Sequence, residues 1–405
     1  MKNLNFKLLL VILISIGISV TSCKKDIGEF VNEQFPEPNN MSSDILIDGE
    51  IAVPLLDTKL TLRNFIPSTD SSLWAEVDSN DLVHLRMFFK DVLSLKSADI
   101  YGMPIAGIVP ADSVTFKTDS NKIRIYDNAL EGHLYFNDPR FTFIVKNEIP
   151  ITTFVRIDSI ILQNSSGEFL DARDETKHVI GAPTTPGEMV TTNILIDKTK
   201  IPDFENFFSP IPKFVQFIFT SGSDHSQTIP ATYGGALTGQ EKVKVDVDID
   251  LPLEAHLVDF VIGDTIPFSL DTNIEQIKKV TLKLILDNEF PLGGNIQLSF
   301  VDTNDNGGID DIIMNLFEGD GWTFKPSITN SQGVTTSAVR SQMTVELTQG
   351  QLDTLKMYHA SEIVLTANLN SYQSDTGQDV KIYGAYQLGV KLGIKVDYSA
   401  ETGNL

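Results

Sequence analysis

The chain reads as a mainly β protein made of two β-sandwich-like halves, with one short helix near the C-terminus. Three observations predict this. Short runs rich in β-branched and aromatic residues alternate apolar with polar positions, clusters of Asn, Asp, Gly and Pro separate them, and one strand-turn-strand pattern occurs twice.

The first element is a targeting segment. MKNLNFK carries Lys2 and Lys7 and no acid, and the apolar run Leu8 to Val20 follows, interrupted only by Ser15, Gly17 and Ser19. A basic start and an apolar stretch shorter than the roughly 20 residues of a spanning helix predict a signal peptide over residues 1–22. Val20-Thr21-Ser22-Cys23 then resembles the lipobox of bacterial lipoproteins, with Val in place of the usual Leu, a loose form found in Bacteroidota-like envelopes. The resemblance implies diacylglycerol on the Cys23 sulfur and an acyl group such as palmitate on its amine. It also implies an outer-membrane lipoprotein facing the periplasm or the cell surface. The alternative is an ordinary secreted protein with an incidental cysteine. Cys23 is the only cysteine, so an exported chain offers it no disulfide partner. Several acyl chains at ~0.8 kcal/mol per buried CH₂ make a stable anchor.

Residues 23–44, the cysteine and the polar stretch KKDIGEFVNEQFPEPNNMSSD, read as a lipidated tether. Loss of Lys2 and Lys7 with the signal peptide takes the net charge from −23 to −25. So acidic a surface repels phosphate backbones and excludes nucleic acid as a partner. The membrane is a partner through the anchor alone.

From Ile45 onward strands are expected at Glu50–Val53, Lys59–Leu62, Val114–Lys117, Ile123–Tyr126 and Phe141–Val145. Residues 221–240 are rich in Gly, Ser and Thr and predict a linker between a β-rich domain at 45–220 and a second at 241–400. A long loop inside one domain is the alternative. The repeated pattern is Asn147-Glu148-Ile149-Pro150 and Asn288-Glu289-Phe290-Pro291, each between two strand-like runs and 141 residues apart. Here Asn suits the turn, and Pro ends a ladder because it lacks an N–H. This pattern resembles the strand, Asn-x-x-Pro, strand signature of late-embryogenesis-abundant type 2 and water-stress domains. The resemblance implies small non-catalytic sandwiches, in tandem, with a taste for hydrophobic or lipidic partners.

The one expected helix is Thr348–Ala360, capped by Thr348, with Leu352, Leu355 and Tyr358 or His359 on one face. A terminal hairpin, Ile363–Leu369 with Val380–Tyr398, is expected around Ser374–Gln378.

The sharpest candidate for chemistry is Asp302-Thr-Asn304-Asp-Asn306-Gly307-Gly-Ile309-Asp310, whose alternate oxygens fit the start of a calcium loop. Asp302, Asn304, Asn306 and Asp310 would be ligands of a weakly bound Ca²⁺, with Asp311 in reserve. Position twelve is Ile313 instead of a bidentate acid, and a polar hairpin turn uses the same residues. Asp246, Asp248 and Asp250 share one strand face, as a cation site or a solvated surface. The six histidines show no metal spacing, and no G-x-S-x-G elbow or phosphate loop occurs. The chain is therefore read as no enzyme: a non-catalytic, envelope-anchored binding or structural protein for hydrophobic or lipidic ligands, or for an envelope protein. The alternative is a surface glycan-binding lipoprotein of a polysaccharide-capture system, with Trp74 and Trp322 as stacking rings. A glycoside hydrolase or other hydrolase ranks behind both, Ser223, Asp224 and His225 supplying triad residue types without triad geometry. Phe204–Phe214 reads as an apolar contact surface or as an edge packed over a sandwich.

Overall fold

The computed structural model describes residues 46–62, 73–102, 104–164, 167, 169–209, 211–268, 277–303 and 309–401. Cys23, the signal peptide and the tether lie outside them. The chain is mostly antiparallel β-sheet in two compact units. The first unit comprises residues 1–67, 261–372 and 385–405, and the second comprises 68–260 and 373–384.

The expected linker at 221–240 is therefore a correction: it lies inside the second unit, and the domains are nested instead of tandem. The chain leaves the first unit after one strand, builds most of the second, returns at Val261, and contributes residues 373–384 to the second unit before ending in the first. Composition misled because the interval is loop-like but anchored. Leu237 and Ile229 are buried, and the backbone bonds of Leu237 and Ile229 run to Ile105 and Gly107.

Eighteen strands and two helices carry the argument. They are β1 (Leu46–Leu60), β2 (Leu73–Val77), β3 (Val83–Lys96), α1 (Ser97–Tyr101), β4 (Asp112–Lys117), β5 (Arg140–Asn147), β6 (Thr153–Gln163), β7 (Phe169–Ile180), β8 (Val190–Ile196), β9 (Phe214–Ser223) and β10 (Lys242–Pro252). After them come β11 (Glu254–Pro267), β12 (Ile277–Asn288), β13 (Leu292–Thr303), β14 (Ile309–Asn315), β15 (Trp322–Phe324), β16 (Val339–Thr348), α2 (Gln349–Met357), β17 (Glu362–Ser371) and β18 (Leu388–Glu401).

In the second unit one sheet has the order β8-β5-β10-β3-β2 and the other β7-β6-β9-β4. In the first unit the orders are β16-β12-β18-β1 and β14-β13-β17-β11, where β11 enters this unit at Val261. Matched in chain order, β3 to β10 trace the same path as β1, β11, β12, β13, β14, β16, β17 and β18. Each unit is thus the same eight-strand path, and its two sheets enclose a core. The alternation that predicted strands explains the faces. In β5 Phe141, Phe143 and Val145 are buried, while Arg140, Thr142, Ile144 and Lys146 between them are half-exposed.

The repeated motif is the corner where the chain crosses from one sheet to the other, from β5 to β6 and from β12 to β13. Both asparagines are buried. The Asn147 Oδ1 accepts from Ile149 N at 2.9 Å, and its Nδ2 donates to Ile149 O at 3.1 Å and Gly181 O at 2.9 Å. The Asn288 Oδ1 accepts from Phe290 N at 2.9 Å, and its Nδ2 donates to Leu292 O at 2.7 Å and Lys325 O at 3.0 Å. The Glu residues are duplicated too. Glu148 N donates to Lys242 O at 2.8 Å and Lys242 N donates back to its Oε2 at 3.1 Å. Glu289 and Gln387 repeat this at 3.0 and 2.9 Å. The Asn therefore acts through its side-chain amide, satisfying backbone groups that the turn buries.

Three local expectations change. Ile123–Tyr126 is not a strand: Arg124–Tyr126 forms a 3-10 turn with Tyr126 fully buried. The terminal hairpin does not form, because β17 pairs with β13 and β18 with β1 and β12, in opposite sheets. The helix α2 has the expected capping box, with Gln351 N donating to Thr348 Oγ1 and Thr348 N to Gln351 Oε1. It ends at Met357, however, and Tyr358 is exposed.

Candidate functional site

The site begins with an uneven core. In the second unit Phe136, Phe141, Phe143, Phe208, Phe217 and Phe219 are all 0% exposed. Their rings meet edge to face, Phe143 with Phe217 at 5.4 Å and with Phe219 at 5.7 Å between centroids. Between β8 and β9, Phe204, Phe207 and Phe208 of a 3-10 turn close one end of this core. The apolar stretch at Phe204–Phe214 is therefore packing, the second of its two readings. Phe214 alone among its phenylalanines is exposed.

The first unit fills the same frame with aliphatic side chains. Counted from the corner asparagine, Leu284 stands where the second unit has Phe143. Leu365, paired with Leu298, stands where Phe219 pairs with Ile157. The buried residues of this unit fall into separate clusters. One, with Leu284, Leu286 and Val390, lies on the β16-β12-β18-β1 sheet, and another, with Leu298, Leu365 and Ala367, lies on the opposite sheet.

Between them is a cavity of about 240 Å³, lined by residues of both clusters and by Phe290, Phe317, Trp322 and Phe324. Among the described residues no polar atom faces it. Asn288, the single polar residue in its wall among the described residues, spends its side-chain amide on the corner bonds. Such a surface has nothing to offer a sugar hydroxyl, and everything to offer a hydrocarbon. The leucines and isoleucines that form it looked like ordinary core in the sequence, and no local signal marks them.

The residues singled out from sequence lie elsewhere. Asn304 and Asn306 fall outside the described residues, and Asp310 lies on β14 with its side chain outside them. Asp302 pairs with Asp311 in the β13–β14 ladder, and Ile313, at the twelfth loop position, packs on the core. Among the described residues no group of three or more His, Cys, Asp or Glu is placed to hold a metal. Trp74 is half-buried on the β2 strand, and Trp322 belongs to the cavity wall. Ser223 donates to Pro110 O at 3.1 Å and Asp224 pairs with Lys177, so these two do not assemble with His225.

The acidic strand face is neither solvated nor vacant. Asp246, 2% exposed, accepts from Lys146 Nζ at 2.6 Å and from Asp91 N at 2.7 Å. Asp248 is bound by Arg86, and Asp250 by His84 Nδ1 at 2.7 Å. Burial pushes the Asp246 carboxyl up, and the bonds from Lys146 and Asp91 N more than offset it, leaving it below the usual carboxylate value.

No protein-family model matches the chain, and no curated protein does. Among solved structures, a Parabacteroides distasonis protein described as secreted aligns over 77% of this chain and 99% of its own, at 13% identity and a TM-score of 0.31. The N-terminal CBM22-1-CBM22-2 tandem domain of Paenibacillus barcinonensis Xyn10C aligns over 76% and 98%, at 8% identity and a TM-score of 0.16. Scores this low bear on neither ligand nor activity.

Proposed function

We propose that this chain is a non-catalytic, envelope-anchored lipoprotein that holds a hydrophobic ligand in the first unit. The observation that carries the reading is the cavity, about 240 Å³ and without a polar atom in its lining among the described residues. Dry apolar cavities of only ~150 Å³ already take up benzene. A ligand that fills the space restores the lost contacts. Lipidation at Cys23 would hold the site beside a membrane, and the 21 residues 24–44 reach at most about 75 Å when extended.

The test starts with protein purified from a bacterial host, extracted with organic solvent and analysed by mass spectrometry. It continues with titration of a fluorescent fatty-acid probe. Co-extracted apolar molecules are expected, together with saturable probe binding that weakens at least tenfold in Leu284→Phe/Leu365→Phe. Protein that carries no apolar molecule and takes up no probe would overturn the reading. Intact mass from the same host reports whether Cys23 is the acylated first residue.

A further inference from the structure

The wall of the cavity is not equally secured on all sides. The strands β12 and β18 are each paired along both edges. In the opposite sheet β13 is paired on one edge by β17 from Leu292 to Val301, but on its other edge by β14 only from Ser299 to Thr303. Lower down that edge is covered by β15, a strand of three residues opposite Gly294, Asn295 and Ile296. Trp322 and Phe324 of β15 face the cavity, while Thr323 points out and donates to Asn295 Oδ1 at 2.6 Å.

Two close approaches seat β15. A Cβ on Gly321 would meet Ile296 O at 2.4 Å, and one on Gly293 would meet Pro326 Cδ at 2.4 Å. The turn before it, Glu318 to Asp320, is exposed, and Gly319 and Gly321 have φ of +61° and +104°. Trp322, Phe324 and Met343 on this side are half-buried, as are Leu62, Leu369 and Leu388 elsewhere in the lining, whereas Leu284, Leu286, Leu365 and Ala367 are buried.

We propose that β15 is a strap over the entrance, and that the ligand is a single-chain amphiphile inserted tail first beneath it, with its head group outside. This rests on the hydrophobic-ligand reading above and narrows it to one class and one orientation. The orientation follows from the lining. A polar group carried to the depth of the cavity finds no donor or acceptor there and stays desolvated and unpaired. A hydrocarbon end finds only carbon. The head group remains in water outside Trp322 and Phe324, so its chemistry matters less than that of the tail.

The experiment compares dodecanoate, 1-dodecanol and 12-hydroxydodecanoate on the full mature chain carrying Trp74→Phe, which leaves Trp322 as the only tryptophan. Dodecanoate and dodecanol are expected to bind within about threefold of each other and to shift the Trp322 emission. The 12-hydroxy acid is expected to bind at least tenfold more weakly. Equal binding of the hydroxylated tail, or binding with no change at Trp322, overturns the orientation while leaving a hydrophobic site. Failure of all three to bind overturns both readings.

A second variant tests the strap. Asn295→Cys/Thr323→Cys, in a Cys23→Ser background, joins β15 to β13 through directly opposite residues. Oxidation is expected to slow uptake at least tenfold, with recovery on reduction. The same uptake rate in both states overturns entry beneath β15.

Discussion

The two units follow one path with one corner and differ in what they put inside. Where the second unit sets Phe143 against Phe219, the first sets Leu284 against Leu365, and the sheets stay apart around a void. The frame is therefore independent of the filling. The sheets are held by their ladders and by the corner, where the Asn Oδ1 bond and the Glu bonds are the same in both units at nearly the same lengths, while the Asn Nδ2 bonds go to different carbonyls. A frame that stands without a full core can give up core volume to a ligand, at a cost in stability that the filled unit does not bear.

The largest effect expected from breaking this contrast is in the filled unit. Phe219→Ala removes a wholly buried ring that contacts two others and should cost about 3–5 kcal/mol in urea unfolding. Leu365→Ala, at the matching position beside an existing void, should cost about half as much. Equal losses would mean that the void is not there in solution.

Next come the corners. Asn147→Ala and Asn288→Ala each strip partners from three buried or half-buried backbone groups, and each should cost about 3 kcal/mol. Similar values in the two units would establish the corner as a shared device. A large loss in one alone would break the equivalence.

Smaller still is Leu365→Phe by itself. It imports the second unit's residue into the first and should raise the stability of ligand-free protein by about 1 kcal/mol while weakening the fatty-acid probe. Destabilisation without loss of probe would place the ligand elsewhere.

The smallest effect is electrostatic. On β10 the position four residues after Lys242 is Asp246, and on β18 the position four after Gln387 is Lys391. Because the Asp246 carboxyl is held below its usual value of 3.8, its contribution is complete above about pH 4. That contribution is lost as pH falls through the lowered value. Asp246→Asn should therefore reduce stability at pH 6 and flatten the loss that sets in as pH falls below about 4. An unchanged slope would show that the Lys146–Asp246 pair does not set acid sensitivity.

Much of this fold was legible beforehand. Alternation placed β5, β6, β12 and β13, the Thr348 cap placed the start of α2, and the Asn-Glu-apolar-Pro repeat located both corners. The site was not legible. Each strand declares which residues face inward, but the volume opposite them depends on a strand far along the chain. Leu284 and Leu365 are 81 residues apart, and neither differs from a core leucine until the sheets face each other. The nested order was hidden for the same reason, since the Gly- and Ser-rich interval at 221–240 looks like a linker until Leu237 and Ile229 bury themselves.

By itself, then, the sequence determined the β class, the faces of the strands, the two corners and the acidic surface, because these follow from local periodicity, capping and charge. Tertiary structure alone decided the insertion of one unit within the other, the pairing of Asp246, Asp248 and Asp250 with basic side chains, and the cavity beneath Trp322 and Phe324. Those depend on which strands become neighbours, and a void is set by the difference between two facing surfaces, a quantity no single segment of the chain contains.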